Sequence, residues 1–410
     1  MTNIQPPLSL YIHLPWCVRK CPYCDFNSHA AGDSPPRDRY LEALFRDIEI
    51  EGGRAKGRAI ETVFIGGGTP SLFSGEEIGE IIGCVKSCMS LAHDAEITME
   101  ANPGTVEYGD LGGYLEAGVN RLSIGAQSFD AESLDRLGRI HGPQEIVDAF
   151  SGAVDAGFNN INIDIMFALP GQTLPMAMND VAAAIALGPQ HISYYQLTLE
   201  RNTVFYSKPP ADIPDDDLAW SIQLAGQGAL QQAGFVHYEV SAFGLPGREC
   251  RHNLNYWQFG DYLAVGAGAH GKLSDGDGSV YRYQKPAHPR TYIEQGSKAQ
   301  FDDQLRQLAA DDLAFEYMLN ILRLPQGFPE RAFTERTGLD IDIVAGTLAR
   351  ARNDGLLYFD DQRVWRPTKL GMQFLDDVQA RFLPSSRPDP AKNALKSAPD
   401  SASSLSERTI

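Results

Sequence analysis

Short apolar stretches alternate with amphipathic stretches over the first two hundred residues of the chain. A short apolar run bounded by turn residues is typical of a buried strand, whereas apolar residues three and four positions apart are typical of a helix. The predicted strands are residues 8–14, 62–65, 96–99, 121–124, 160–165 and 192–197. The predicted helices between them are residues 40–51, 75–89, 107–117, 143–156 and 175–187. This alternation predicts an α/β fold with a parallel sheet.

Polar and glycine residues follow the ends of several predicted strands. They are Gly66 to Thr69, Glu100, Gln127, and Asp164 at the end of its own strand. The carboxyl ends of parallel strands form one face of the sheet, where ligands bind. We therefore expect these residues to converge on a common site.

The second half of the chain has a different pattern. Helices are predicted at residues 215–234, 302–322, 330–337, 341–354 and 369–382, a strand at residues 236–240, and a hairpin at residues 356–367. Helices followed by a two-stranded wing indicate a C-terminal winged-helix-like domain. Residues 384–410 are rich in Ser, Pro, Ala and charge and predict a disordered tail.

Composition limits the classes of function. The 410 residues are 43% hydrophobic and carry a formal net charge of -18, which argues against a broad nucleic-acid surface. No apolar run reaches the roughly 18 residues that a membrane span needs. We expect a cytoplasmic protein, in which clustered cysteines indicate a metal or catalytic site more than a disulfide framework.

Three of the six cysteines, Cys17, Cys21 and Cys24, follow the first strand at C-x3-C-x2-C spacing. Three thiolates from one short loop can each bind one iron of a cubane and leave the fourth iron open to a chelating ligand. A zinc knuckle completed by His13 or His29 is an alternative, although zinc sites favour two C-x2-C pairs. A redox pair of Cys21 and Cys24 would leave Cys17 unexplained.

The segment "YIHLPWCVRKCPYCDF" resembles the cysteine loop of radical S-adenosylmethionine (SAM) enzymes, in particular the oxygen-independent coproporphyrinogen III dehydrogenase family. The resemblance extends through "FIGGGTPS", "MEANPG", "LSIGAQSF", "RLGRIH" and "NIDIMFALPGQ", and later through "HNLNYW" and "GAGAH". It implies a partial (β/α)6 TIM-like barrel. Together with the pattern of the second half, it predicts a domain order of core barrel (1–200), barrel extension with a haem-binding region (201–300), winged-helix-like domain (301–383) and tail (384–410).

The same resemblance implies two cofactors. Cys17, Cys21 and Cys24 would hold a [4Fe-4S] cluster whose fourth iron is chelated by SAM. The residues matching SAM-binding positions or aromatic contacts near the cluster are Tyr11, Tyr23, Gly67, Gly68, Thr69, Glu100, Gln127, Arg139 and Asp164. Glycines there allow the backbone to approach a ligand closely.

Two departures shift the expected function. The dehydrogenases carry a fourth cysteine two residues after the third, where this chain has Phe26. The motif "HNLNYW" resembles the signature of the haem chaperone branch of the superfamily, and it makes His252 the candidate haem ligand. Cys250 is either a further ligand or a core residue, and His270 either lines the same cavity or ends a strand. Asn253 and Asn255 are expected to fix the loop by side-chain to backbone bonds.

Two functions remain open at this point. One is a haem chaperone that binds haem and passes it to an acceptor apo-haemoprotein, with peripheral membrane contact during delivery. The other is a radical enzyme that oxidatively decarboxylates coproporphyrinogen III to protoporphyrinogen IX. If SAM is cleaved, an electron donor such as flavodoxin or ferredoxin is implied.

Overall fold

The computed structural model describes residues 5–32, 35–106, 111–302 and 304–384. Residues 107–110 of one predicted helix and residues 385–410 of the predicted tail lie outside the described residues. None of the helices in the described part is both long and apolar enough to cross a lipid bilayer.

Strands make up two main sheets and one short pair. They are β1 (Leu8–Leu14), β2 (Trp16–Cys17), β3 (His29–Ala30), β4 (Ile60–Gly67), β5 (Leu91–Ala101), β6 (Arg121–Gln127), β7 (Ile161–Phe167), β8 (His191–Gln196), β9 (Val236–Glu239), β10 (Ala242–Gly244), β11 (Asp261–Val265), β12 (His270–Ser274), β13 (Val280–Gln284), β14 (Gln304–Gln307), β15 (Phe328–Pro329), β16 (Leu357–Phe359) and β17 (Val364–Pro367).

Helices follow most of the parallel strands and fill the C-terminal region. They are α1 (Arg37–Ala55), α2 (Gly75–Cys88), α3 (Pro103–Val106), α4 (Leu111–Ala117), α5 (Ala131–Arg136), α6 (Pro143–Ala156), α7 (Leu174–Leu187), α8 (Val204–Ser207), α9 (Asp216–Gln232), α10 (Arg251–Trp257), α11 (Pro289–Gly296), α12 (Ala310–Ile321), α13 (Glu330–Thr337), α14 (Asp342–Asn353), α15 (Lys369–Gln373) and α16 (Leu375–Ala380). The predicted capping box is present at the start of α2, where the side chains of Ser74 and Glu77 each accept a backbone N–H of the other residue.

The large sheet runs β14-β13-β12-β11-β1-β4-β5-β6-β7-β8-β10-β9. The strands from β11 to β8 are mutually parallel, and the strands outside them pair antiparallel. Alternate side chains of β1 illustrate the layering: Leu8, Leu10 and Ile12 join the main core cluster, in which helix side chains also pack. The predicted α/β class with a parallel sheet is confirmed.

The C-terminal region is a group of helices with a three-stranded sheet, β15-β17-β16. Its core includes Tyr317 and Trp365 and also takes Phe259 and Val280 from the region before it. This unit therefore packs directly against the extension of the large sheet.

Three predicted elements differ from the structure. The helix predicted at 302–322 begins only at Ala310, because residues 304–307 form β14 and pair with β13. The helix predicted at 369–382 is divided at Phe374 into α15 and α16. The segment around Asn253 and Asn255, expected as a loop, is the helix α10.

Candidate functional site

The three clustered cysteines lie between the end of β1 and the start of β3. All three are half-buried free thiols. No three His, Cys, Asp or Glu side chains of the described residues lie close enough together to hold a single metal ion. A cubane gives each cysteine its own iron, so the loop fits a cluster better than one zinc ion.

Each cysteine sulfur has a polar neighbour. The Cys21 Sγ is 3.7 Å from Nη1 of Arg139, and the Cys24 Sγ is 3.7 Å from Oγ of Ser28. Burial raises the pKa of Cys17 and of Cys24, although a hydrogen bond from Thr69 partly offsets the effect at Cys17. These thiols therefore retain their protons until a metal displaces them.

His13 holds the cysteine loop in place. Its Nδ1 accepts a hydrogen bond from the Tyr11 hydroxyl at 3.0 Å, and its Nε2 donates to the Asn27 carbonyl oxygen at 2.9 Å. Burial lowers the pKa of His13 to about 4, so the imidazole is neutral. Because both ring nitrogens are occupied, His13 is a structural support of the loop and does not offer a nitrogen to a metal.

The glycine segment after β4 passes too close to its neighbours for a larger residue. A Cβ on Gly68 would lie 2.5 Å from the carbonyl oxygen of Trp16. Gly67 has φ +118°, and a Cβ there would lie 2.5 Å from the His13 ring. Glycine at both positions therefore allows this segment to pack directly against β1 and the start of the cysteine loop.

Two carboxyl groups lie inside the barrel beside this segment. Glu100, next to last in β5, accepts a hydrogen bond from the Gly67 N–H at 3.1 Å. Burial, together with the nearby Asp164, raises the pKa of Glu100 to about 7. Glu100 forms no salt bridge with any residue that the structure describes, and a cationic ligand group would stabilise its charged form.

Asp164 does not end its strand as predicted. It is the central residue of β7, which continues to Phe167, and it accepts hydrogen bonds from Ser123 at 3.1 Å and Asn162 at 2.7 Å. In the strand register, Glu100 pairs with Ser123 and Ser123 with Asn162, so Asp164 lies two residues farther along β7 than the level of Glu100.

Gln127 and Arg139 lie near β6. In the sheet order β4-β5-β6, Glu100 on β5 lies between them and the glycine segment that follows β4. The Gln127 Oε1 accepts a hydrogen bond from the Tyr195 hydroxyl at 2.6 Å, and Gln127 has φ +70°, which is uncommon for a residue other than glycine. Arg139 donates to the Gly125 carbonyl oxygen at 2.9 Å, and its buried Nε has no partner among the described residues. Tyr23 packs beside Arg139, and burial raises its pKa.

A cavity of about 630 Å³ opens from the glycine segment toward the C-terminal unit. This volume is within the range of about 300–1,000 Å³ that is usual for ligand sites. Of the predicted SAM residues, Tyr11, Gly67 and Glu100 line it. The cavity is lined by the aromatic side chains of Tyr11, Phe26, Tyr256, Trp257, Phe259 and Tyr262.

One wall of this cavity is the sheet extension formed by β11, β12 and β13. Tyr262, Lys272 and Arg282 occupy adjacent positions on these strands, and all three line the cavity. Lys272 donates to Asp261 and to the carbonyl oxygens of Phe259 and Gly260. Arg282 is bonded to Tyr262 and, across the boundary with the C-terminal unit, to Glu316 of α12.

His252 lies in α10 and is buried, and it does not line the cavity in this conformation. Its Nδ1 is bonded to the Thr62 hydroxyl at 2.7 Å and its Nε2 to the Tyr256 hydroxyl at 3.0 Å. Burial lowers the pKa of His252 to about 3, which keeps the ring neutral. Tyr256 therefore stands between His252 and the cavity.

The start of α10 is fixed by a carboxylate from β5. Glu96 accepts hydrogen bonds from the backbone N–H of Arg251 at 3.3 Å and of His252 at 3.1 Å, as well as from the Cys250 thiol at 3.6 Å. Cys250 is fully buried and does not line the cavity, which is the position of a core residue. Asn255 donates to the Asp261 carbonyl oxygen at 2.8 Å, the type of side-chain to backbone bond that was expected.

Sequence reasoning missed the residues that connect the cysteine loop to the cavity wall. Asn27 donates from its side chain to the carbonyl oxygens of Ala267 at 2.9 Å and Ala287 at 2.7 Å. Gly268 packs against this amide so closely that a Cβ would lie 2.2 Å from it. The signal in the sequence was Gly268 of "GAGAH". It could not be interpreted without the structure, because its partner Asn27 is 241 residues earlier in the chain.

Two family models match the chain. One, described as the Radical SAM superfamily, matches residues 11–181, and the other, the HemN C-terminal domain, matches residues 308–374. The first match includes the three cysteines and all of the predicted SAM residues. Radical SAM proteins as a family use a [4Fe-4S] cluster and SAM, which the geometry of the cysteine loop fits.

Similar proteins cover nearly the whole chain. Heme chaperone HemW of Escherichia coli (strain K12) is 47% identical over 378 residues, which cover 92% of this chain and 98% of the relative. Heme chaperone HemW of Haemophilus influenzae is 43% identical over 382 residues, with 92% and 98% covered. The solved structure of Coproporphyrinogen III oxidase (HemN) from Escherichia coli covers 92% of this chain and 90% of its own, with a TM-score of 0.78 and 23% identity. At that identity the likeness shows the fold alone.

Proposed function

The chain belongs to the family of the Heme chaperone HemW, and we propose that it binds haem in the aromatic cavity beside the cysteine loop and transfers it to an acceptor apo-haemoprotein. The observation that carries this proposal is the position of Phe26. Its side chain is 58% exposed and lines the cavity, at the place where the dehydrogenases have a fourth cysteine. A flat apolar ring at this point offers a packing surface to a macrocycle.

We propose that Cys17, Cys21 and Cys24 hold the cluster and that SAM lies against the glycine segment. Gly67, Gly68 and Thr69 would contact its amino acid portion through their backbone, and Glu100 would bind its ammonium group. Arg139 would bind its carboxylate, since the Nε of Arg139 is unpaired, and Gln127, Asp164, Tyr11 and Tyr23 would complete the pocket. When bound together, the cluster and SAM supply reductive cleavage of the sulfonium.

His252 is proposed to act on the haem site through Tyr256. Both of its ring nitrogens are bonded, so direct coordination of iron by His252 requires Tyr256 to move away. Trp257 also lines the cavity, and its buried indole N–H has no hydrogen-bond partner among the described residues. A shift of this side chain would be required before the N–H could donate to a polar group of the cargo.

The proposed division of the chain follows these roles. Residues 1–200 would hold the cluster and SAM, residues 201–300 would form the cavity wall, and residues 301–383 would close the cavity from outside. We propose a cytoplasmic location, because three free cysteines that bind a cluster need a reducing compartment. An electron donor such as flavodoxin or ferredoxin would be required only if SAM is cleaved.

Anaerobic haemin titration, run beside a decarboxylation assay, tests this function. Reconstituted protein is expected to bind one haem per chain with a shifted Soret band. The same protein with SAM, reductant and coproporphyrinogen III is expected to give no protoporphyrinogen IX. Product formation at a catalytic rate would support the decarboxylase instead, and would contradict the chaperone function.

A further inference from the structure

His270 presents a free imidazole to the cavity. It is the first residue of β12, is exposed, and lines the cavity. Its ring nitrogens have no hydrogen-bond partner among the residues that the structure describes, in contrast to those of His13 and His252. A neutral imidazole with a free nitrogen is a common axial ligand of haem iron.

The surroundings of His270 keep it neutral. Partial desolvation of the ring at the cavity wall and the positive charge of Arg282 both lower the pKa of His270, so the ring is neutral near pH 7. Arg282 itself is bonded to Glu316 and Tyr262, and these bonds fix the position of its charge near the imidazole of His270. A lone pair is therefore available for coordination.

The position of His270 is also well determined. The adjacent Ala269 carbonyl oxygen accepts a hydrogen bond from the Lys285 N–H at 2.8 Å, and Asn27 of the cysteine loop holds Ala267. Both contacts hold the chain just before His270, and His270 itself pairs with Gln284 of β13. A ligand on a backbone held in this way loses little conformational freedom when it binds. Aromatic rings of Tyr256, Trp257 and Tyr262 line the same space.

On this basis, and resting on the haem-binding function proposed above, we propose that His270 is the residue that coordinates the iron of haem in the cavity, while His252 orients Tyr256 without touching the metal. The two histidines would then have separable roles. His270 would determine the coordination state of the iron. His252 would determine, through the position of Tyr256, how well the cavity accommodates the porphyrin.

Haemin titration of the full chain, reconstituted under anaerobic conditions, distinguishes these roles. His270→Ala is expected to lose the absorption and spin-resonance signature of imidazole ligation and to weaken haemin binding about tenfold or more, equivalent to about 1.4 kcal/mol. Added imidazole should restore the signature. His252→Ala is expected to weaken binding with unchanged band positions, and His93→Ala, an exposed residue on β5, should match the wild type.

His270→Met adds a positive readout, because a thioether remains a ligand. Its bound haem should have a higher reduction potential than the wild type. A wild-type spectrum in both His270 variants would overturn the assignment, as would loss of the ligation signature in His252→Ala alone. Failure of the wild type itself to bind haemin would instead refute the proposed function, and the two failures are thus distinguishable.

Discussion

Replacement of Cys21 by serine is expected to remove the iron-sulfur cluster. A serine hydroxyl remains protonated at neutral pH, and loss of one of three ligands leaves two irons of the cubane without protein donors. Iron content after anaerobic reconstitution should fall from about four per chain to near zero, and the visible absorbance that bleaches on reduction should disappear. Metal and sulfide analysis with spin resonance measures the effect.

Cys84→Ser is the matched control for this change. Cys84 is also a half-buried free cysteine, but it lies on α2 away from the cysteine loop. Cys84→Ser should retain the full cluster. Cys21→Ser should still bind haemin, because His270, Tyr256, Trp257 and Tyr262 of the cavity lie on other segments. A full cluster in Cys21→Ser, or its loss in Cys84→Ser, would contradict the assignment of the cluster ligands.

Lys285→Met is expected to destabilise the protein by about 3–5 kcal/mol at pH 8. The Lys285 side chain is fully buried, and its ammonium group lies 2.7 Å from Asp47 and 2.8 Å from Glu51, both on α1 and both fully buried. Methionine has a similar length but no charge, so Asp47 would lose its cation in the interior, and Glu51 would keep only its pair with Arg54 at 2.8 Å. Chemical denaturation at equilibrium measures the free energy of unfolding.

The effect of this substitution should depend on pH. Burial already raises the pKa of Asp47 to about 6 despite Lys285. A raised carboxyl pKa means that the stability present at low pH is lost as the pH rises through that value. The difference between Lys285→Met and the wild type should therefore be larger at pH 8 than at pH 5, where Asp47 can take up a proton.

Arg290→Met provides the surface control. Arg290 pairs with Glu294 on α11, but its side chain is 82% exposed, and such pairs contribute little. It should change stability by less than about 0.5 kcal/mol. If Arg290→Met and Lys285→Met lowered the free energy of unfolding equally, the buried ion pairs of Lys285 with α1 would not be a source of stability.

Local patterns were sufficient to predict the strands of the barrel. Residues 8–14 are the strand β1, as the apolar run predicts, and each of the other five predicted strands overlaps an observed one. The pattern is reliable here because one set of alternate side chains on each strand is apolar and packs in the core, as Leu8, Leu10 and Ile12 do. The positions between them carry buried polar residues such as Ser9 and Asn162. The pattern underestimates β5, which begins at Leu91, since its first four residues are half-buried or exposed.

Long-range contacts explain where the sequence was insufficient. Helix α10 has little intrinsic preference for helix in "NLNY" but begins on the carboxylate of Glu96, 155 residues before Arg251. Strand β14 exists because β13 supplies its hydrogen bonds. The orientation of His252 toward Thr62, and the free ring of His270, likewise depend on which strands become neighbours. The motifs therefore indicated the chemistry, whereas the tertiary structure places His270, and not His252, in the lining of the cavity.

Transfer of haem from the loaded protein to purified apo-haemoproteins of the same cell tests the central claim most directly. Stopped-flow absorbance would follow the Soret change of donor and acceptor over a range of acceptor concentrations. Direct hand-over predicts, for at least one acceptor, a rate that rises with acceptor concentration and exceeds the rate of haem release to a passive scavenger. A rate that is the same for every acceptor at every concentration, and equal to simple release, would contradict the account.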